Sequence, residues 1–181
     1  MARMPAPLSR LQHSFQSFGD ISRFLREGVA DEDSLQLRDS LGALSVQIDE
    51  TTRLRRTGAD AMAITRRVGG LAQCAREHQL FLTGLGSAWH ALYEFGAYQR
   101  ALRELRDAIA AWQQALERHS TQEGASFRQF ELLAWRTLGD ALLLIDMYEH
   151  DNGPPSDLSG VLPQRPSRWQ GLRAWFRRLR R

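Results

Sequence analysis

Apolar residues recur at alternating spacings of three and four positions over most of the chain, and this pattern constrains the fold more than any other feature. Such spacing places apolar side chains on one face of an α-helix that packs lengthwise on another helix. No proline interrupts residues 8–152, and no segment shows the alternation and hairpin turns of β-strands. The sequence therefore predicts an all-α fold: an elongated antiparallel helical hairpin or bundle, coiled-coil-like, with amphipathic terminal helices.

Composition and the helix-breaking residues divide the chain into four predicted segments. Residues 1–30 form an N-terminal amphipathic segment with a helix over 8–27, and residues 31–150 form the long-helix hairpin or bundle. A stop signal of Asn, Gly and two Pro then opens a proline-rich linker over 151–166. Residues 167–181 form a basic amphipathic helix, which begins with a capping-box pattern.

A single long helix is expected from about residue 32 to residue 95. The glycines at 58, 69, 70, 84 and 86 each cost about 1 kcal/mol relative to alanine, so they indicate close helix contacts or breaks, above all near Gly84 and Gly86. The apolar stripe is also interrupted or shifted in the polar stretch 51–60. The residues of the stripe are Leu37, Leu41, Leu44, Ile48, Ala61, Ile64, Val68, Leu71, Ala75, His78, Leu82, Leu85, Trp89 and Leu92.

A second long helix is expected over residues 98–150, after a turn at Gly96. Residues 120–126 are polar and are either a loop or a polar stretch within the helix. Beyond them, apolar residues cover more of the helix circumference, which predicts the most buried part of the protein. The residues of this pattern are Leu102, Leu105, Ile109, Trp112, Leu116, Phe127, Phe130, Leu133, Leu138, Leu142 and Ile145.

Charge is distributed unevenly along the chain. The formal net charge is +3, and all 24 basic residues are arginine. Residues 31–150 are slightly acidic, whereas residues 151–181 carry seven arginines against two acidic residues. Basic ends on a nearly neutral body are typical of arms that contact an anionic surface.

The C-terminal helix carries the strongest functional signal. Aromatic and aliphatic side chains on one face enter the lipid headgroup region, while arginines on the other face attract anionic lipid. The same pattern is also typical of docking on the bundle, on a calmodulin-type partner protein or on RNA. The predicted contact residues are Arg168, Trp169, Leu172, Arg173, Trp175, Phe176, Arg177, Arg178, Leu179, Arg180 and Arg181.

The N-terminal segment offers a weaker second contact. Its apolar face includes Phe15 and Phe18, and its basic residues include Arg10 and Arg23. Two weak anchors that reach the same surface add their binding free energies. We therefore predict these four residues as further membrane- or partner-binding positions.

No catalytic signature is recognisable in the sequence. A single cysteine, Cys74, excludes a disulfide framework and a cysteine-built zinc site, and it is expected to be a small buried hydrophobe. The five histidines are scattered, so no metal site is predicted, and His78 is expected to be a hydrogen-bonded core residue. Acidic residues near one helix end, among them Asp140 and Asp146, are expected to form a solvated face. We predict no enzyme activity, catalytic residue or cofactor.

The order of parts resembles the BAR region of sorting nexins. An amphipathic helix over 8–27 precedes a long first helix, a glycine-marked turn and a long second helix. The segment Phe81-Leu82-Thr83-Gly84-Leu85-Gly86 looks like the end of the first BAR helix, and Phe130-Glu131-Leu132-Leu133-Ala134 like the apolar middle of the second. The resemblance covers about residues 8–150. It implies a dimer that binds curved, phosphoinositide-bearing membrane, as in endosomal protein transport.

The functional prediction is a non-enzymatic peripheral membrane-binding or scaffolding protein of the cytoplasm. No apolar run approaches the roughly 20 residues that span a bilayer. The expected partners are an anionic membrane surface and a second copy or another helical protein, because a two-helix hairpin exposes an apolar stripe. The alternatives are a small nucleic-acid-associated subunit whose arginine tail tracks phosphates, and an adaptor or chaperone that holds a partner's helix.

Overall fold

The computed structural model describes residues 15–26 and 32–152, and this part of the chain is helical without β-strands. The predicted all-α class is confirmed. The helices are α1 (Phe18–Arg26), α2 (Glu32–Arg56), α3 (Ala61–Thr83), α4 (Ser87–His90), α5 (Tyr93–Glu117) and α6 (Glu123–Asn152).

The prediction of one continuous helix over 32–95 is wrong. The first break follows Arg56, where Gly58 takes a φ of 71°, a left-handed conformation that glycine adopts without steric cost. The second break falls where the glycines indicated it, because α3 ends at Thr83 and the short α4 intervenes before α5. Gly96 lies inside α5, so the predicted turn at that residue is also wrong.

The predicted second helix is divided as well. Residues 118–122 form a loop between α5 and α6, and His119 has a φ of 48° in this loop. Of the two interpretations of the polar stretch 120–126, the loop is therefore correct for its first half. The chain reverses at this loop instead of continuing as a single helix.

The four long helices form a closed ring of contacts: α2 with α3, α3 with α5, α5 with α6, and α6 with α2. Ion pairs show that α2 and α3 run antiparallel to each other, as do α5 and α6. Glu50 of α2 pairs with Arg67 of α3 at 2.7 Å, close to the loop that joins these helices. Glu104 of α5 pairs with Arg136 of α6 at the same distance. Of the two predicted arrangements, a hairpin or a bundle, the described residues form a bundle of four long helices.

The core of the bundle contains most of the predicted apolar stripes. Apolar residues from all four long helices are buried, and residues 137–146 of α6 form the most continuously buried stretch, as expected. The largest fully buried side chains are Trp89, Trp112, Tyr98, Phe130, Ile21, Leu37, Leu41, Leu44, Ile48, Leu71, Leu82 and Leu102.

Helix α1 packs against α2 and reaches α6 as well. The ring of Phe18 stacks on that of Trp135 in α6 with centroids 4.3 Å apart. The hydroxyl of Ser45 in α2 donates to the Phe18 carbonyl, and Arg38 donates to the Leu25 carbonyl. These contacts make α1 an integral part of the fold.

Candidate functional site

A groove runs along the outer face of α2 between α1 and α3, and we call it the outer groove. Its volume is about 690 Å³, within the range of ligand-sized pockets. Residues of α2 form its floor because α1 and α3 rise on either side. The lining residues are Ser22, Arg26, Arg38, Asp39, Gly42, Ala43, Val46, Gln47, Gly70, Gln73, Cys74 and Glu77.

The outer groove exists because small residues occupy the positions that point into it. A Cβ atom added to Gly42 of α2 would have no heavy atom within 4 Å, and the same holds for Gly70 of α3. Since both glycines lie inside helices, their cost in helix propensity is not compensated by any close backbone approach within the described chain. The space in front of them is open to an incoming side chain.

Charged groups of both signs border the outer groove, and they differ in their hydrogen bonds and in their exposure to solvent. The guanidinium of Arg26 donates to the carbonyl and hydroxyl of Ser22 one turn earlier. Arg38 is buried and donates to the Leu25 carbonyl. Asp39 and Glu77 are exposed to solvent, as is Arg26, and Oε1 of Glu77 accepts a hydrogen bond from the side-chain amide of Gln73 at 2.7 Å. Both carboxylates are accessible to a cationic partner.

The thiol of Cys74 lines the outer groove and is half-buried. Burial raises its pKa, and the negative charge of Glu77 raises it further. Because the thiolate is the reactive form, these surroundings make Cys74 a poor nucleophile at neutral pH. The prediction that Cys74 is a structural residue agrees with this environment.

A chain of polar side chains crosses the bundle from α2 to α5. Nδ1 of His78 lies 2.6 Å from the hydroxyl oxygen of Ser40, and Nε2 is hydrogen-bonded to the hydroxyl of Tyr98. His78 is only 2% exposed, which confirms the prediction of a hydrogen-bonded core histidine. Burial lowers the His78 pKa to about 4, so the imidazole is neutral at pH 7.

The pKa of Tyr98 is also shifted by its surroundings. Burial raises the pKa of its hydroxyl, and the nearby negative charge of Asp140 raises it further. A serine next to a histidine is a chemistry that can activate a nucleophile. Neither Ser40 nor His78 lines the outer groove, and the hydrogen bonds of Ser40, His78 and Tyr98 connect α2, α3 and α5.

A smaller cavity of about 370 Å³ lies between α3 and α5. It is bordered by Arg76, Arg106, Asp107 and Gln113 together with two alanines. Arg106 also donates to the side-chain oxygen of Gln79. The cavity is polar, and its charges are those of an ordinary interhelical surface.

The predicted N-terminal contact residues differ in their exposure to solvent. Phe18 is only 2% exposed, so the expectation that it inserts into a membrane is wrong: its ring is in the protein core. Phe15 is half-buried and packs edge-on against Phe24, with ring centroids 5.4 Å apart. Arg23 is exposed, and Arg10 lies outside the described residues.

The predicted C-terminal contact residues, Arg168 to Arg181, all lie outside the described residues. The structure therefore does not bring them together with Phe15, Phe18 or Arg23. The linker 151–166 lies outside as well, except that α6 extends to Asn152. These predictions stand as the sequence made them.

The expected solvated face of carboxylates is wrong for two residues. Asp140 and Asp146 are both buried on α6, where the helix is surrounded by its neighbours. Within residues 15–26 and 32–152, no three His, Cys, Asp or Glu side chains converge in a way that would hold a metal ion. No described helix is long and apolar enough to cross a bilayer.

The outer groove was not predicted from the sequence. Its signal is nevertheless present: Gly42 and Gly70 lie off the apolar stripes of their helices, among residues of small or intermediate size. Sequence periodicity shows that such positions face away from the core, but it does not show that two neighbouring helices rise above them.

Comparison of the chain with family models, with curated proteins and with solved structures gives no significant match. The resemblance to the BAR region stays a prediction from the apolar pattern.

Proposed function

We propose that this protein is a non-enzymatic, peripheral membrane-binding scaffold whose anchor is the segment 167–181. The observation that carries the proposal is the composition of that segment. It places Trp169, Trp175 and Phe176 on one helical face and six arginines on the remaining surface. Each arginine near an anionic lipid surface contributes about 1 kcal/mol, and the aromatic rings add apolar burial.

The contacts of the described bundle support the C-terminal segment, and not the N-terminal one, as the membrane anchor. Phe18 packs against Trp135 and is buried, so the N-terminal segment contributes at most its exposed arginines, Arg23 and Arg26, and the half-buried Phe15. The stripes that a two-helix hairpin would expose are buried in the bundle. The anchor is therefore assigned to the C-terminal segment, with the bundle as the body that it carries to the membrane.

A second candidate function is a partner-binding adaptor, and the outer groove favours it. A groove with a glycine floor suits an amphipathic helix, which lays its apolar side chains into such a surface. In this function the bundle itself recognises another helix, with or without a membrane. The BAR-like version of the first proposal requires a dimer, which a mass measurement in solution tests.

Vesicle co-sedimentation tests the membrane proposal on the full chain. We expect binding to vesicles that contain phosphatidylserine or a phosphoinositide and little binding to neutral phosphatidylcholine. Substituting both Trp175→Ala and Phe176→Ala should weaken binding by about a hundredfold or more, because each buried aromatic contributes about 1.5–3 kcal/mol. The matched control is Tyr93→Ala, which removes an aromatic ring that is 79% exposed on the bundle.

The outcomes separate the candidates. Equal binding by the double variant and the intact chain would rule out the C-terminal anchor. Binding to an RNA oligonucleotide that decreases steeply with salt, without vesicle binding, would instead support the nucleic-acid function. Aromatic insertion into lipid should persist in part at high salt, since salt does not screen apolar burial.

A further inference from the structure

We propose that the outer groove holds residues 167–181 of the same chain when no membrane is present. The groove and the membrane would then compete for one apolar face, and the anchor would be released where anionic lipid is available. The inference rests on the proposed function only for this last consequence. The docking itself does not depend on that function.

The outer groove has space for large side chains. Gly42 in the floor and Gly70 in the wall leave the volume in front of them empty, since no heavy atom lies within 4 Å of a Cβ at either position. A volume of about 690 Å³ is enough for more than one large side chain. The segment supplies Trp169, Trp175 and Phe176 at helical spacing.

The outer groove is lined by charges of both signs. Its carboxylates, Asp39 and Glu77, are exposed, as is Arg26, whereas Arg38 is buried; both guanidinium groups keep their charge while they donate to oxygens of α1. Because the exposed arginine lies on α1, a cationic helix meets the carboxylates on the α3 side of the groove. The arginines that flank the apolar face of residues 167–181 have the matching sign.

The end of α6 is close enough to the outer groove for the linker to span the distance. Arg55 at the end of α2 pairs with Glu123 at the start of α6, so the two helices run antiparallel. The last residue of α6, Asn152, therefore lies at the same end of the bundle as the start of α2, near Asp39. Neighbouring helix axes are about 8–10 Å apart. The fourteen residues from 153 to 166 can extend to about 46 Å. The linker is thus long enough to bring the segment to the groove.

The covalent connection through residues 153–166 also favours residues 167–181 in the groove over a helix of another molecule. A segment tethered to its site has an effective concentration that is set by the length and stiffness of the linker and can reach the millimolar range. A second copy of the chain or a foreign helix must exceed that concentration or bind more tightly. We therefore assign the groove to the chain's own segment and treat the other occupants as outcomes of the test.

The native Cys74 in the groove wall makes a direct test possible. In the full chain, Leu172→Cys places a second thiol on the apolar face of the segment. Ala174→Cys is the matched control, because two residues at 100° each rotate it well away from that face. Copper–phenanthroline oxidation without lipid is followed by non-reducing electrophoresis and by mass spectrometry of the peptide that contains Cys74.

We expect an intramolecular disulfide that forms several-fold faster for Leu172→Cys than for Ala174→Cys and disappears when Cys74→Ser is added. Equal rates for the two variants would overturn the proposal, because they would report random collision of a tethered thiol. Disulfides that form only between chains, at rates that rise with protein concentration, would also overturn it and would place a second copy in the groove.

A variant that fills the groove gives an independent measurement. Gly42→Leu should reduce the crosslinking rate of Leu172→Cys several-fold, whereas Gly42→Ala should change it little because a methyl group leaves most of the space open. Helical circular dichroism checks that both variants fold. Crosslinking that is insensitive to Gly42→Leu would contradict docking in the groove. In a separate experiment, anionic vesicles added before oxidation should suppress the disulfide. Absence of vesicle binding with crosslinking intact would remove the membrane function alone.

Discussion

Arg55 and Glu123 connect the end of α2 to the start of α6 through two hydrogen bonds. Nε and Nη2 of Arg55 donate to the two carboxylate oxygens of Glu123 at 2.7 and 2.6 Å. The Trp112 indole donates to the same carboxylate at 2.8 Å, so α5 joins the contact. The Arg55 hydrogen bonds lower the pKa of Glu123 against the opposing effect of burial, and the indole hydrogen bond lowers it further. Three helices are thereby held together at one end of the bundle.

We predict that Glu123→Gln lowers the free energy of unfolding by about 1 kcal/mol at pH 7, since a bidentate, charge-assisted pair lies at the upper end for partly exposed ion pairs. The folded pKa of Glu123 is below its ordinary value of 4.5. Its stabilisation is therefore present above about pH 4.5 and is lost as pH falls through the lower folded pKa. Urea unfolding at several pH values should show the difference between wild type and variant shrinking in acid.

The matched control for this prediction is Glu104→Gln. Glu104 pairs with Arg136 at 2.7 Å, but both side chains are nearly half exposed. This substitution should cost no more than about 0.5 kcal/mol. Equal losses for the two variants would show that the Arg55–Glu123 contact has no special role.

We predict that Trp89→Ala lowers the free energy of unfolding by about 3–5 kcal/mol. Trp89 lies on the short helix α4 and stacks on Tyr148 of α6, with ring centroids 3.6 Å apart and planes within 4°. This contact packs α4 against the core at the end opposite to Arg55. Tyr93→Ala, a few residues away but exposed, should change stability by less than about 0.5 kcal/mol in the same urea titration.

We predict that the protein loses stability between pH 6.5 and about 4 because of His78. Its folded pKa, about 4, is below its ordinary value of 6.5. The neutral imidazole is therefore favoured by folding, and the stabilisation present above pH 6.5 decreases by up to about 3 kcal/mol as pH falls to the folded pKa. The imidazole NMR signals should show no titration of His78 near pH 6.5. In His78→Gln, stability should vary much less over this interval; an unchanged pH profile would assign the effect to other groups.

We predict opposite effects for alanine at two glycines. Gly42→Ala should raise the free energy of unfolding by about 0.5–1 kcal/mol, because Gly42 is helical and a Cβ there meets nothing within 4 Å. Gly58→Ala should lower it by about 1 kcal/mol, because Gly58 has a φ of 71° in the loop between α2 and α3. Thermal unfolding measures both, and a shift of the same sign for the two variants would contradict the prediction.

The core could be predicted from the sequence with some success. The stripe Leu37, Leu41, Leu44 and Ile48 and its continuation from Ile64 to Leu82 are buried where periodicity placed them. Periodicity is reliable here because an apolar residue every three or four positions has only one way to leave water on a helix. The His78 environment followed from the same stripe.

The breaks and the buried charges were harder to predict. Glycine signalled the end of α3, but nothing as strong marked the loop at residues 118–122. Asp140 and Asp146 looked like a solvated face and are buried, because α6 is enclosed on more sides than a helix of a two-stranded hairpin would be. The sequence of an amphipathic helix does not show which apolar surface the helix covers. For this reason the prediction that Phe18 inserts into a membrane is wrong.

The sequence alone thus determined that the chain is helical, which residues leave water and where arginine is concentrated, because these properties depend on local propensity and on spacing along one helix. The tertiary structure decided that four helices close into a bundle, that α1 covers it through Phe18 and Trp135, and that an open groove remains in front of Gly42 and Gly70. Those results depend on which surfaces meet when the chain reverses direction, and contacts between residues far apart in sequence are not encoded in the periodicity of either partner.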